Sequence, residues 1–265
     1  MKKKKSGWFY VGMVLLFIIK IPYYLVKGIY LLIKKITKKF ETENVKKKRK
    51  SIGAIYGKFK ILESKEGDFG EWEKSVLGSD SLIGVILGAR GSGKSAFGIK
   101  FLENVYSKTK KRCYAMGFKK DELPSWINVV ENISEIKNDS FILIDEGGIL
   151  FNSRKSMSSG NKLLSELILI SRHKNLSILF ISQNSSNLEV NVFRQADFLI
   201  LKKSSLLQKD FERKIVQKTY DSVKDDFKKF KDDKGLAYIY GENFKGFVSN
   251  PLPSFWGEKI SKGFR

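Results

Sequence analysis

The sequence predicts an α/β fold in which helices pack around a mostly parallel central sheet, preceded by an N-terminal membrane-associated helix. Three observations predict it. From Ser81 onward, short apolar runs rich in β-branched and aromatic residues alternate with stretches of helical period, the pattern of successive βα units. A glycine-rich stretch, Gly88–Ser95, stands between the first such run and the first such helix. The first fifty residues, oily and basic, follow neither pattern.

That head carries 15 basic and 2 acidic side chains, out of 50 Lys and Arg against 28 Asp and Glu in the 265-residue chain. A net charge of +22 calls for an anionic partner, either nucleic acid or the inner face of a membrane. Ser6–Ile19 is uncharged but shorter than the ~20 helical residues a bilayer core requires, so a crossing must continue through Lys20 to Val26, with the lysine amine reaching back to the interface. Lys20, Lys27 and Lys34 then recur on one stripe opposite Ile21, Leu25, Ile29, Leu32 and Ile36, as an interfacial helix requires. Trp8, Tyr10, Tyr23, Tyr24 and Tyr30 suit the headgroup level, and Lys46–Lys50 suit anionic lipid. Residues 1–50 are therefore read as a membrane anchor, transmembrane or interfacial over about 7–36. A helix packed on partner proteins and a processed leader are the other readings, though no small-residue cleavage site follows the apolar run. The larger lysine excess on the domain side predicts a cytoplasmic domain. One cysteine and one histidine exclude an internal disulfide and argue against a structural zinc site.

Residues 51–80 read as a linker or cover segment, with Phe69, Trp72, Val76 and Leu77 at helical spacing. The main domain spans 81–249. Its predicted strands are Leu82–Leu87, Arg112–Met116, Phe141–Asp145, Ser177–Ser182 and Phe198–Leu201, with helices over Lys94–Val105, Asn161–His173 and Leu206–Tyr220. The last of these places Leu207, Phe211 and Ile215 four residues apart, and its continuation through Phe227 and Phe230 reads as a solvated, charge-interleaved face. Leu236–Tyr240 and Phe244–Val248, hinged at Gly241, predict a closing hairpin. The tail 250–265, with Asn250 to Trp256, carries no motif and is read as a docking tail or an ordered cap.

Gly88-Ala89-Arg90-Gly91-Ser92-Gly93-Lys94-Ser95 fits GxxxxGK[ST] between a strand and a helix. The glycines permit backbone angles that turn successive N–H groups inward as an anion nest, and the helix N-terminus, running on to Ala96, adds the positive end of its dipole. Lys94 reaches β- and γ-phosphates, and the Ser95 hydroxyl holds Mg²⁺, so the motif predicts ATP with Mg²⁺. Phe141–Glu146 is an apolar strand ending in two acids. Asp145 suits the metal shell, and Glu146 is placed to polarise an attacking water. The strand Ile178–Ile181 ends in Ser182-Gln183-Asn184, and an amide such as Gln183 can hydrogen-bond the γ-phosphate or the water. Arg172 and His173 close a helix, where cations satisfy the C-terminal dipole; Arg172 serves equally well as an arginine finger reaching a neighbouring subunit's nucleotide. Arg194 is a weaker candidate for that role, and Arg154 and Lys155 for touching DNA.

Together GARGSGKS, the FILIDE strand, the Arg172-His173 pair and ISQN resemble the FtsK/HerA superfamily of P-loop ATPases, closest in pattern to viral genome-packaging ATPases and zonula occludens toxin-like proteins, over roughly Leu82 to Lys203. The resemblance implies a RecA-like P-loop NTPase with Glu146 as the catalytic carboxylate, and a homo-oligomeric ring, usually a hexamer, gripping double-stranded DNA. Two activities follow from it: a membrane-anchored motor that translocates or packages DNA, or an ATPase driving virion assembly, extrusion or protein secretion with virion or secretion proteins as partners. The chain is shorter than chromosome-segregation translocases, lacks a winged-helix module, and continues after the acids with the looser Gly147-Gly148.

Overall fold

The computed structural model describes residues 24, 26–34, 36–37, 40, 52–145 and 157–257. The chain forms two units, Met1–Ser51 and Ile52–Arg265. In the first, the described residues are helical and expose Val26, Ile29, Tyr30, Leu32 and Ile36. No helix among the described residues is long and apolar enough to cross a membrane. The expected crossing lies almost wholly outside the described residues.

The second unit is built on nine strands. In chain order they are β1 (Lys60–Gly67), β2 (Ile83–Leu87), β3 (Arg112–Met116), β4 (Ile127–Val129), β5 (Ser140–Asp145), β6 (Leu176–Ser182), β7 (Phe198–Leu201), β8 (Leu236–Gly241) and β9 (Phe244–Ser249). The helices are α1 (Phe69–Gly78), α2 (Lys94–Thr109), α3 (Met157–His173), α4 (Val190–Arg194), α5 (Leu206–Asp210), α6 (Lys214–Ser222) and α7 (Lys224–Lys229). The sheet order is β1-β9-β8-β7-β2-β6-β5-β3-β4. The six strands from β7 to β4 are parallel, and β8, β9 and β1 extend one side in antiparallel pairs. β2, β5 and β6 are buried along their whole length, which is why they read as continuous apolar runs rather than alternating ones.

Each face of the sheet has its own core. On one, Ile86, Leu143, Leu179 and Ile181 pack with Phe97, Phe101 and Leu102 of α2 and Trp72 of α1. On the other, Val85, Leu87, Ile142, Ile178 and Phe180 pack with Leu167 and Ile168 of α3 and Val216 and Tyr220 of α6. α2 lies close on the sheet because Gly98 carries no side chain: a Cβ there would stand 2.7 Å from Leu143 Cδ1 and 3.0 Å from Ile181 Cδ1. That close approach fixes the helix which begins at the glycine loop.

Four expectations need correction. Residues 60–67, expected to be linker, pair with β9 as an edge strand; its polar, mostly exposed sequence hides the strand because no face of it is wholly apolar. The following α1, capped by the Asp68 side chain accepting from Glu71 N, is core rather than cover, with Trp72 buried. The expected helix Leu206–Tyr220 breaks at Phe211–Arg213. There Arg213 is extended (ψ 145°) and gives its backbone N–H to Ser185 Oγ, so Leu207, Phe211 and Ile215 stay exposed. Phe227 and Phe230, expected on a solvated face, are half-buried against Phe247, with ring centroids 5.1 and 5.6 Å apart. β4 was not expected: at three residues it is too short to show a period. Part of the tail is an ordered cap, with Phe255 against Trp126.

Candidate nucleotide site

The carboxyl ends of β2, β5, β6 and β7 lie at one edge of the sheet, with Leu87 paired to both Ser182 and Leu201, and Ile181 paired to Asp145. The chain leaves β2 through Gly88, Gly91 and Gly93, which have φ of 151°, 76° and 88°, the left-handed region where a Cβ is strained. Ala89 N–H donates to Lys203 O and Ser92 N–H to Ala89 O, which ties the loop to β7 on one side and to itself on the other. The first bond of α2 runs from Phe97 N–H to Gly93 O. The N–H groups of Lys94, Ser95 and Ala96 therefore precede the hydrogen-bonded ladder at the positive end of a 16-residue helix. Arg90 is exposed, while the Ala96 methyl is buried.

Lys94 is 8% exposed, and its Nζ donates to Gly88 O and Ala89 O at 2.8 and 2.9 Å. Burial lowers its pKa to about 8, opposed by the charges of Asp145 and Glu212. The ammonium thus rests on loop carbonyls from which it can turn to a phosphate. Ser95 Oγ donates to Asp145 Oδ2 at 3.3 Å, so the loop hydroxyl and the strand-end carboxylate, predicted from separate motifs, meet. These are hard oxygen donors of the kind that hold Mg²⁺ beside phosphates. Ser92 Oγ is buried in the loop without a hydrogen-bond partner, which fits a donor intended for an anion.

Gln183 is exposed one residue beyond β6, beside the loop strand; its carbonyl accepts from the Gln208 side-chain amide. Arg172 is not brought to this edge. It is exposed in the last turn of α3, at the start of β6, the opposite end of a strand roughly 20 Å long. Arg194 likewise precedes β7, so neither arginine stands at this chain's own loop. Glu146, Arg154 and Lys155 lie outside the described residues.

Two residues of the site were not expected. Lys202, at the end of β7, is 1% exposed; its Nζ donates to Gly235 O at 2.9 Å and Asn250 Oδ1 at 3.2 Å, and its Cβ lies 2.7 Å from where a Gly88 Cβ would stand. Burial lowers its pKa to about 7. Glu212, 5% exposed, lies in the break between α5 and α6, and its charge acts on Lys94. Neither carries a sequence signal: one is a lysine in a lysine-rich chain, the other an acid in a charged helical pattern.

The glycine nest, the lysine inside it, and the hydroxyl–carboxylate pair at the carboxyl edge of a parallel sheet form a phosphate-binding loop of P-loop type. Similar solved structures include the genome packaging NTPase B204 from Sulfolobus turreted icosahedral virus 2, in complex with AMPPCP, at 16% identity over 66% of this chain and 99% of that one (TM-score 0.43). EccC of Thermomonospora curvata (ATPases 2 and 3) is similar at 10% identity over 69% of this chain and 40% of that one (TM-score 0.46). A KaiC-like protein of Pyrococcus horikoshii is similar at 11% identity over 73% and 100% (TM-score 0.41). The sequence matches no protein-family model and no curated protein.

Proposed function

We propose that this chain is an ATP-hydrolysing motor of FtsK/HerA type that translocates or packages double-stranded DNA as a membrane-attached ring. The observation that carries the ATPase part is the Ser95–Asp145 contact beneath a glycine nest that holds Lys94. The nest and the α2 N-terminus bind and orient the triphosphate, and Lys94 neutralises its charge. Mg²⁺, held by Ser95 and Asp145, would supply charge neutralisation between phosphate oxygens. Gln183 orients the attacking water, Glu146 accepts its proton, and Arg172 reaches the nucleotide of the next subunit. The charge of +22 supports an anionic polymer as cargo, and the lysine-rich head supports attachment to anionic lipid.

The test is steady-state ATP hydrolysis by the full chain in anionic liposomes, with and without double-stranded DNA, using Lys94→Ala as the blank. Turnover that rises with DNA and vanishes in the variant is the expected result. Lys94-dependent turnover indifferent to DNA would sink the translocase reading and favour the assembly or secretion ATPase. No Lys94-dependent turnover would sink the ATPase reading itself.

A further inference from the structure

Beyond the loop, the residue whose placement asks most for a purpose is Glu212. It is a buried carboxylate lodged where a helix is interrupted, and burying it requires that both oxygens find donors. Its Oε2 accepts the Ser185 backbone N–H at 2.6 Å, and its Oε1 accepts the Gln208 side-chain amide at 3.0 Å. The same Gln208 amide donates to Gln183 O. The next residue continues the grip: Arg213 gives its N–H to Ser185 Oγ at 2.7 Å, Nε to Ser185 O at 3.0 Å and Nη2 to Leu188 O at 2.6 Å. The turn 183–188 therefore hangs from residues 208–213.

We propose that Glu212 is a positioning residue of the nucleotide site, holding the Gln183 turn in register with the phosphate loop. The path is short. β6 pairs with β2 up to Leu87–Ser182, and Gln183 is the next residue. Whatever shifts the turn at Ser185 shifts Gln183 against the loop. A carboxylate grips a backbone N–H more strongly than a neutral acceptor, which gives the charge a purpose beyond filling space. The interruption between α5 and α6 has the same explanation, because a continuous helix would engage the Arg213 N–H that Ser185 Oγ now receives.

This assignment rests on the ATPase reading. Its test is a double-mutant cycle on the full chain, measuring kcat by ATP hydrolysis and affinity with a fluorescent ATP analogue. Glu212→Ala is expected to lower kcat between about 10- and 100-fold, while affinity changes less than about threefold, and Glu212→Gln to recover part of the loss. In a Gln183→Ala background, Glu212→Ala should cost nothing further, since both act through one group. Gln208→Ala, at a half-exposed position, gives the same cycle if Glu212→Ala does not fold. Losses that multiply would overturn the assignment while leaving the ATPase reading intact. A wild-type chain without Lys94-dependent turnover would overturn both.

Discussion

Glu103→Ala is the perturbation whose cost the structure defines best. Glu103, fully buried on α2, accepts from Lys100 Nζ at 2.8 Å, from Ile55 N at 3.1 Å, and from both the N–H (3.1 Å) and the hydroxyl of Ser254. Lys100, 3% exposed, adds a bond from Nζ to Ile55 O at 2.9 Å. One turn's edge further, Asn104 exchanges two bonds with the Gly57 backbone, at 3.0 and 2.9 Å. One helix face thus clamps the segment entering the unit and the segment leaving it. Removing the carboxylate strands the buried Lys100 ammonium and takes the acceptor from two part-buried backbone donors. Breaking a buried pair costs about 3–5 kcal/mol and each stranded donor about 1–3 kcal/mol; because these overlap, we expect a loss of about 5 kcal/mol. For a unit of this size that is roughly 10–20 °C in Tm. Urea unfolding of both proteins should show the midpoint falling with m unchanged, and hydrogen exchange at the Ile55 amide should rise toward that of an open segment. Replacing the pair together, by Lys100→Met with Glu103→Leu, should recover part of the loss, because no charge is then left buried. A Glu103→Ala protein within about 1 kcal/mol of wild type would refute the reasoning, since that is the loss expected of a single solvated contact.

Two further outcomes are expected. Lys202 has a pKa of about 7 in the folded chain against an ordinary 10.5, so between those values the unfolded chain holds the extra proton; this contribution to stability is complete above about pH 10 and is lost as pH falls to 7. Relative to wild type, Lys202→Met should flatten the rise of urea midpoint with pH from 7 to 9 by at most about 1.4 kcal/mol per unit; parallel slopes would show that Lys202 does not titrate there. Trp72→Ala should cost about 3–5 kcal/mol in unfolding free energy, because the buried indole packs edge-on to Phe198 at 5.3 Å and tilted against Phe69 at 5.5 Å and its loss leaves a cavity in the core.

Much of the candidate nucleotide site is legible in the chain because local chemistry dictates it. Only glycine tolerates the angles at Gly88, Gly91 and Gly93, so the loop declares itself wherever such a run joins a strand to a helix. β2, β3, β5, β6 and β7 are equally plain: strands covered on both faces must be apolar throughout, and β-branched residues announce them. The acid at the end of β5 follows from the same rule, since polar groups can appear only where the sheet ends. That logic fails at β1, an edge strand that packs only Leu62 on the core and so carries no apolar period. It fails again at residues 206–222, where an unbroken helical spacing conceals an interruption imposed from outside by Ser185.

By itself, then, the sequence determined the phosphate loop, the hydroxyl at its end and the strand-end carboxylate, and the parallel core, because each depends on backbone angles or burial that a few consecutive residues reveal. Only the tertiary structure decided that β6 lies between the loop strand and the acid strand, that Arg172 stands at the far end of the sheet, that Lys202 closes on the loop and that Glu212 grips the turn after β6. Those placements depend on which distant strands pair and on which buried charges find donors. Such choices are made by the whole folded chain, since the groups concerned are separated by tens of residues and become neighbours only when the sheet is assembled.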